Sequence, residues 1–450
     1  MSASKANTSS ASADAERVAA VRAAFPSGGL FADKDWLVSP RPLQLPQKTV
    51  RELETLGHQL ALFVRACDTL YRQSVKGKAP AWLASYLDAG KPGELVDRAR
   101  HPGLRDEMPR VIRPDLIWTD DGFAITELDN LPGGIGLTAW LNKVYAALGA
   151  TVVGGADGMF DGFASILPEG ADVLVSAESS DYRPEMEWLA TELNDRPPAA
   201  GEFEVLDAED YSPRGRSVYR FFELFDLDNI PPAGALFDAA AAGDIRVTAP
   251  YKHYLEEKLW SALFWSRPLR EFWAAQLRQS YIQRLQKLIP YSWVIDPSPV
   301  PHHAELPRLG ITDWRQLGAF SKKERALVLK ISGFSELAWG SRSVRIGDDL
   351  PAEEWAAAVE TAMADFPDQP WVLQRFRRAK VFEHPFWDEA AGTVREMQVR
   401  ARLCPYYFVS GDNADRPDVR LAGVLATLVP ADKKVIHGMS DGILVPCATG

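Results

Sequence analysis

Polar residues recur at alternate positions in two neighbouring segments that are rich in β-forming residues. The segments span 112–118 and 123–129, and Asp120-Asp121-Gly122 joins them. A three-residue loop with glycine in the left-handed region is a common hairpin connection. We therefore predict a hairpin in which Thr119 faces Phe123.

This pairing places Asp115 opposite Glu127 and Arg113 opposite Asp129, and Asn130 follows directly. Residues two apart in a strand share one face of the sheet, so these side chains form one polar patch. Like charges on facing residues destabilise a sheet unless a cation joins them. Oxygen ligands suit Mg²⁺, which proteins commonly share with phosphate oxygens. The alternative is a solvated hairpin tip in which Asp129-Asn130 form a turn.

The size and composition of the chain exclude several classes of protein. The chain has 450 residues, of which 46% are hydrophobic and 25% charged, with a net charge of −11. This length allows two or three domains, and the acidic balance argues against a nucleic-acid partner. The three cysteines have no disulfide or metal spacing, and no apolar run reaches the ~20 residues that span a membrane. We therefore expect a cytoplasmic protein without a membrane partner, with a disordered N-terminus over 1–16.

The periodicity of the chain predicts mixed secondary structure. Apolar residues at helical spacing follow Gln47, and Cys67 lies on the apolar face, which favours a core position. Strand and helix patterns alternate from 171 to 247, which is typical of a small α/β layer with parallel strands. We expect a helical region at 17–110, the acidic hairpin part at 111–148, the α/β layer at 149–252 and a nucleotide-binding part at 253–450.

The strand and loop at 326–344, ALVLKISGFSELAWGSRSV, are a candidate phosphate site. Lys330 ends an apolar strand, and a buried lysine is costly unless it meets an anion. The loop carries Ser332, Gly333, Gly340 and Ser341, whose hydroxyl and N–H groups can cradle phosphates. The pattern is not GxxxxGKS, so the sequence does not contain a P-loop.

A second strand, at 371–376, can offer main-chain groups to an adenine edge through Gln374, Arg375 and Phe376. The alternative is an ordinary core strand. Further along, Arg400 and Arg402 share one strand face and can clamp phosphate or carboxylate. Their alternative is a solvated edge strand, since charged edges deter aggregation.

The order of these motifs resembles the circularly permuted ATP-grasp ligases, specifically the synthetase domain of glutathionylspermidine synthase. Arg113-Pro114-Asp115 is followed twelve residues later by Glu127-Leu128-Asp129, which is similar to the family's Arg-x-Asp and Glu-x-Asn at the same interval. Glu257-Lys258-Leu259-Trp260 resembles its Asn-Lys-Ala-Leu helix start. The resemblance covers roughly 105–450, with the strand lysine after the acidic motif, as permutation requires. The amidase domain of that family has no counterpart here.

The resemblance implies an α/β (α+β) ATP-grasp fold that uses ATP and Mg²⁺. It implies that Asp115, Glu127 and Asp129 hold the metal, with Asp at the family's Asn position and Asn130 as the alternative ligand. It also implies nucleotide contacts from Lys258 and Lys330.

The activity that the resemblance implies is an ATP-dependent carboxylate–amine ligase acting through an acyl phosphate. Arg400 or Arg402, with Arg113, would stabilise that species. The expected partners are a small carboxylate and an amine or thiol, and a homo-oligomer is possible. The alternatives are an ATP-grasp kinase that phosphorylates a small acceptor and a non-catalytic ATP-binding protein.

Overall fold

The fold is described from a computed structural model. It describes residues 2–26, 36–196, 201–301, 304–338, 342–366, 368–411, 417–436 and 442–450, and the side chains from residue 12 onwards. Gly340 and Ser341 lie outside the described residues. No helix of the described part is both long and apolar enough to cross a membrane.

The helices and strands follow one another in a mixed order. The helices are α1 (Ser2–Ala23), α2 (Gln47–Val75), α3 (Ala81–Asp88), α4 (Gly93–Ala99), α5 (Ile135–Ala147), α6 (Gly158–Ile166), α7 (Arg183–Asn194), α8 (Ala233–Ala242), α9 (Trp260–Leu263), α10 (Arg270–Gln276), α11 (Gln279–Leu288) and α12 (Ala352–Ala364). The strands are β1 (Leu43–Leu45), β2 (Val111–Thr119), β3 (Gly122–Asp129), β4 (Ala171–Val175), β5 (Phe203–Asp207), β6 (Val218–Phe221), β7 (Val247–Thr248), β8 (Ser292–Val294), β9 (Leu327–Ile331), β10 (Arg345–Ile346), β11 (Trp371–Arg375), β12 (Phe382–Asp388), β13 (Thr393–Ser410), β14 (Asp418–Pro430) and β15 (Ile443–Thr449).

The largest sheet joins strands from both ends of the chain. Its order is β1-β15-β14-β13-β2-β3, and β12 also pairs with β13. The hairpin β2–β3 therefore lies beside the long C-terminal strand β13, antiparallel to it, with Arg402 opposite Ile117 and Leu403 opposite Leu116. Apolar residues of α2 and β14 pack in the same core, among them Leu56, Leu60 and Val424, all at most 1% exposed. Cys67, 2% exposed, belongs to this core as predicted.

A second sheet, β5-β4-β6-β7, is parallel throughout and confirms the predicted parallel layer. Buried residues on both faces of β4 explain its continuous apolar sequence, because helices cover parallel sheets on both sides. A cluster around Val218, Leu236 and Tyr251 forms its own core.

A third sheet, β10-β9-β11-β8, carries the strand that ends in Lys330, and its pairings are antiparallel. Helix α12 packs on this sheet through Trp355 and Val359, which are 0% and 1% exposed. The observed architecture is therefore mixed α/β with separate sheets.

The N-terminus differs from the predicted disorder, because α1 begins at Ser2. Val18 and Val21 of this helix are 1% and 2% exposed. Both valines lie after residue 16, in the region that the sequence predicted to be helical.

Candidate active site

The tip of the acidic hairpin differs from the predicted turn. Thr119 pairs with Gly122 and Trp118 with Phe123, so two residues form the loop instead of three. Gly122 has φ +129°, a conformation that other residues rarely adopt. Thr119 Oγ1 donates to Asp121 Oδ1 at 2.7 Å, which ties the turn to the strand.

The base of the hairpin has the predicted pairing, with Asp115 opposite Glu127 and Arg113 opposite Asp129. A register shift beside Asp115 reconciles the tip with the base, since Thr126 is an extra residue on β3. This is a β-bulge, which leaves one residue outside the regular ladder. Thr126 Oγ1 donates to the Asp115 carbonyl at 3.2 Å.

Asp115 is surrounded by positive charge. Arg113 lies 3.2 Å and Arg402 3.0 Å from its carboxylate oxygens, and Cys404 Sγ donates to it at 3.4 Å. Burial by itself would raise the pKa of Asp115, but the two arginines outweigh burial and lower it. Asp115 is therefore an ionised carboxylate in a buried position.

Asp129 is less completely compensated. Its carboxylate lies 3.0 Å from Arg113 Nη2 and accepts from the Leu131 N–H at 2.9 Å. Burial raises its pKa, and Arg113 offsets this only in part. Next to it, Asn130 donates through Nδ2 to the Leu255 carbonyl at 2.8 Å, while its buried Oδ1 has no hydrogen-bond partner among the described residues.

The ligand types at this hairpin favour a metal, whereas the present positions of their side chains do not. Carboxylate and amide oxygens from Asp115, Glu127, Asp129 and Asn130 are the ligand type that Mg²⁺ prefers. Within the described part of the chain, however, no three acidic, histidine or cysteine side chains converge closely enough to hold an ion. Each carboxylate is instead paired with an arginine or lysine, so a metal must displace these side-chain cations. The unpartnered Asn130 Oδ1 requires no such displacement.

Lys258 and Lys330 approach the hairpin from two other elements. Lys258 Nζ lies 2.8 Å from Glu127 Oε1 and donates to the Ala338 carbonyl at 3.1 Å. Lys330 Nζ donates to the carbonyl of the bulged Thr126 at 2.9 Å. The bulge therefore provides the acceptor that holds the strand lysine.

The pKa values of the two lysines shift in opposite directions. Burial lowers the pKa of Lys330 to about 8, an effect that Glu127 opposes and Lys258 reinforces. Burial also acts on Lys258, but Glu127 outweighs it and raises the pKa of Lys258. A phosphate beside Lys330 would remove the mismatch between its burial and its charge.

The side chain of Gln374 points into the sheet core, and a nucleotide contact of this strand stays a prediction. Gln374 is 3% exposed, accepts from Lys330 Nζ at 3.2 Å and donates to Ser292 Oγ at 3.2 Å. Gln374 therefore orients Lys330. The Phe376 N–H is also engaged, because it donates to the Ala326 carbonyl at 3.0 Å. Arg375 lines the cavity and donates to the Arg308 carbonyl at 2.8 Å.

The start of the predicted phosphate loop is divided between cavity and core. Gly333 lines the cavity, whereas Ser332 is fully buried and its hydroxyl donates to the Glu257 carboxylate. In this arrangement the Ser332 hydroxyl is engaged with Glu257, and its contact with a nucleotide stays a prediction. Glu257, a neighbour of Lys258, supplies a buried acceptor that local sequence patterns do not reveal.

One cavity of about 290 Å³ connects these groups. Arg400 and Arg402 both line it, as their shared strand face predicts, and Arg400 Nη1 donates to the Lys433 carbonyl at 3.2 Å. One wall is apolar and comes mostly from the third sheet and its loops, through Val328, Val344, Ile346 and Phe376. The opposite wall is the charged face of the hairpin.

Glu223 and Glu256 are cavity residues that the sequence analysis missed. Glu256 forms an ion pair with the fully buried Arg220, whereas the Glu223 carboxylate has no hydrogen-bond or ion-pair partner among the described residues. Burial and the nearby Glu256 raise the pKa of Glu223 well above its usual value. The only sequence signal was an acidic residue at the end of each apolar segment, which is too common to identify a site.

The comparisons with known proteins support the fold. No protein-family model matches the chain, and the search of curated proteins returned no match. Among solved structures, a glutathione synthetase-like effector from Globodera pallida, in its apo form, matches with a TM-score of 0.57 and 13% identity over 97% of each chain. A second structure, named for gamma-glutamylcysteine synthetase from Methylobacillus flagellatus, has a TM-score of 0.37 and 12% identity over 80% of this chain and 84% of its own. The first match shows a glutathione synthetase-like fold over nearly the whole chain, and the second is too distant to argue from.

Proposed function

We propose that this chain is an ATP-dependent carboxylate–amine ligase of the permuted ATP-grasp type. The observation that carries the proposal is a shared cavity in which the acidic hairpin of the largest sheet faces the lysine strand of the third sheet. Two sheets that enclose a nucleotide are the arrangement that the ATP-grasp resemblance implies. The full-length similarity to a synthetase-like fold supports the same class of enzyme.

The nucleotide would lie along the third sheet. The apolar wall of Val328, Val344 and Ile346 suits an adenine ring, because aliphatic walls bury its faces. Lys330 and Lys258, which reach the same cavity, would hold the phosphates. This orientation puts the terminal phosphate at the hairpin.

Asp115, Glu127 and either Asp129 or Asn130 would hold Mg²⁺. When bound, the metal neutralises the charge that develops on the transferred phosphate. The phosphates would take Lys258 and Lys330, which would release Glu127 from Lys258. The substrate carboxylate would take the arginines that now pair with Asp115 and Asp129. The oxygen-only donor set and the unpartnered Asn130 Oδ1 support this assignment.

The carboxylate substrate would be held by arginines. Arg113, Arg400 and Arg402 line the hairpin end of the cavity. A substrate carboxylate oxygen would attack the γ-phosphorus, the bond to ADP would break, and an acyl phosphate would form. The same arginines would stabilise its added negative charge electrostatically.

The acceptor would be an amine. Its nitrogen would attack the acyl carbon, form the amide bond and expel inorganic phosphate, while its surplus proton passes to a carboxylate. Glu223 suits this role because its carboxylate lines the cavity and has no hydrogen-bond or ion-pair partner among the described residues.

Product analysis tests the reaction class. Purified protein with Mg-ATP and panels of carboxylates and amines should release ADP and free phosphate only when both substrates are present. A stable phosphorylated acceptor without free phosphate would indicate a kinase. ATP binding without turnover for any pair would indicate a non-catalytic protein.

Calorimetry tests the nucleotide site directly. Lys330→Ala should abolish saturable Mg-ATP binding, because the strand lysine is expected to grip the phosphates. Lys322→Ala is the matched control, since Lys322 is exposed and lies outside the cavity. Unchanged affinity in Lys330→Ala would refute the assignment.

A further inference from the structure

The side chain of Glu257 is fully buried. It lies between the start of the loop after β9 and Lys258, which pairs with Glu127 of the hairpin. Through Oε2 it accepts from the Ser332 hydroxyl and from the Gly333 N–H, the latter at 2.9 Å. Ser332 Oγ in turn accepts from the Leu259 N–H at 3.2 Å. The first two loop residues are therefore fixed to the segment that carries Lys258.

A lysine from the N-terminal helical region completes this arrangement. Lys91, whose side chain is 1% exposed, forms an ion pair with the other carboxylate oxygen of Glu257. Its ammonium also lies 5.8 Å from the ring centroid of Phe334, which lines the cavity. Phe334 has φ +56°, an uncommon conformation that neighbouring contacts must hold.

Gly333 shows how close this contact is. A Cβ at this position would lie 2.6 Å from the Glu256 carbonyl oxygen and 3.4 Å from Glu257 Cδ. Only glycine lets the loop approach the segment so closely. The close approach to the Glu256 carbonyl thus requires glycine here, whether or not a phosphate also lies beside its backbone.

We propose that Glu257 is a positioning residue that, with Lys91, presets the nucleotide loop for phosphate binding. This inference rests on the proposed function, because it assigns the loop to ATP. Glu257 itself would not touch the nucleotide. It sets the position of Gly333 and Phe334, and the adjacent Lys258 holds the Ala338 carbonyl further along the same loop.

The inference makes the helical region part of the nucleotide site. Lys91 follows α3 in the chain, far in sequence from β9, and provides the only charge that Glu257 pairs with among the described residues. A buried carboxylate without such a partner is strongly destabilised. Removing Lys91 should therefore loosen the loop even though Lys91 does not line the cavity.

The test combines Mg-ATP affinity with loop exchange in nucleotide-free protein. Glu257→Ala should raise the Mg-ATP dissociation constant by about tenfold, the size expected for losing hydrogen bonds to a charged group. It should also speed amide hydrogen exchange across 332–338. Glu257→Gln keeps an acceptor for Ser332 and Gly333, so it should lose less affinity than the alanine variant.

A double-variant cycle separates positioning from general destabilisation. Glu257 acts partly through Ser332. The double variant Glu257→Ala/Ser332→Ala should therefore lose less binding free energy than the two single variants lose together. Asp172→Ala is the matched control, since Asp172 is equally buried and bonds Tyr211 and Arg214 in the parallel sheet. It should lower thermal stability without changing the dissociation constant.

The outcomes distinguish this inference from the proposed function. If the unchanged protein binds Mg-ATP but neither affinity nor loop exchange responds to Glu257→Ala, the inference is overturned and the proposed function stands. If the unchanged protein does not bind Mg-ATP, the proposed function fails. Faster amide hydrogen exchange in the loop of Glu257→Ala would then show that Glu257 fixes the loop without a role in nucleotide binding. Should the alanine variant not fold, Glu257→Gln and Ser332→Ala carry the same comparison.

Discussion

At the scale of single residues, the charged groups of the cavity compensate one another. Asp115 pairs with Arg113 and Arg402, and Glu127 pairs with Lys258. Buried charges are tolerated only when paired, so these contacts keep the site folded before any ligand arrives. Under the proposed function, ligand binding would be an exchange of partners, in which a metal replaces the side-chain cations on the carboxylates and phosphate replaces Glu127 on Lys258.

The first prediction concerns these carboxylates. Asp115→Asn and Glu127→Ala should each lower turnover by more than ~100-fold, because each removes a charge that stabilises the transferring phosphate. Steady-state ADP release measures the effect. The control is Asp120→Asn, an exposed acid of the same hairpin. Near-normal turnover in either cavity variant would remove the proposed metal role.

The second prediction concerns the charge of Lys330 in metal- and nucleotide-free protein. Burial places its folded pKa at about 8, below the ordinary 10.5, with Glu127, Lys258 and Asp115 as its charged neighbours. Below pH 8 the cost of the buried ammonium is fully present in the folded state. Between the two pKa values the unfolded chain holds the proton and the folded chain does not, so stability rises with pH.

Lys330→Met removes this titration and should be more stable than the unchanged protein at neutral pH. Its advantage should shrink by roughly 3 kcal/mol as the pH rises from about 8 to about 10.5, which is the free energy of the pKa difference. Urea unfolding across this pH range measures it. A stability difference that does not vary with pH would contradict the depressed pKa.

At the scale of elements, a buried polar network joins α2 to the segment before Lys258. Lys252 Nζ donates to Asp68 Oδ1 at 2.9 Å and to the carbonyls of Arg105 and Glu107 at 3.2 and 2.6 Å. The side chains of Asp68 and Lys252 are both 1% exposed, and Tyr254 also donates to Asp68, at 2.8 Å. This network fixes the helical region against the segment that carries Glu256, Glu257 and Lys258.

The third prediction follows from this network. Asp68→Ala should destabilise the protein by about 3–5 kcal/mol, because it leaves Lys252 buried without its counter-charge. Denaturant unfolding measures the change. Glu52→Ala on the same helix is the control, since Glu52 is exposed and its contact with Lys48, at 3.9 Å, lies on the surface. A loss as small as that of the control would show that the pair contributes little.

At the scale of the whole molecule, the cavity is assembled from distant parts of the chain. The hairpin at 111–129 and Arg400 and Arg402 belong to the largest sheet, whereas Lys330 belongs to the third. The hairpin and β13 lie on opposite sides of the predicted domain boundary at 253, yet they pair in the same sheet. A ligand that contacts both sheets should therefore stabilise the fold as a unit.

The fourth prediction is that Mg-ATP raises the melting temperature of the protein. A ligand that binds only the folded state at a hundred times its dissociation constant adds about 2.7 kcal/mol to the unfolding free energy. Differential scanning calorimetry should show this stabilisation for the unchanged protein and not for Lys330→Ala. A shift of equal size in both would place the nucleotide elsewhere.

The sequence by itself determined the elements with strong local patterns. Alternating polar residues predicted the hairpin and the facing of Asp115 with Glu127, and helical spacing after Gln47 predicted α2. The elements were predicted because side-chain periodicity in strands and helices is a local property. The facing of Asp115 with Glu127 holds although the predicted loop was wrong, because the bulge at Thr126 offsets the shorter turn. The resemblance of motif order added a prediction of the ligase class, which stays a prediction, because the similar solved structure bears on the fold alone.

The tertiary structure alone decided which partners the polar groups take. In the folded chain Gln374 accepts a hydrogen bond from Lys330, and Ser332 donates one to Glu257. Glu223 lines the cavity, and Thr126 forms a bulge in the hairpin. Each of these depends on groups distant in sequence, except the bulge, which depends on how the hairpin packs. A buried hydrogen-bonding group takes the partner that the fold brings near, and no local pattern contains that information.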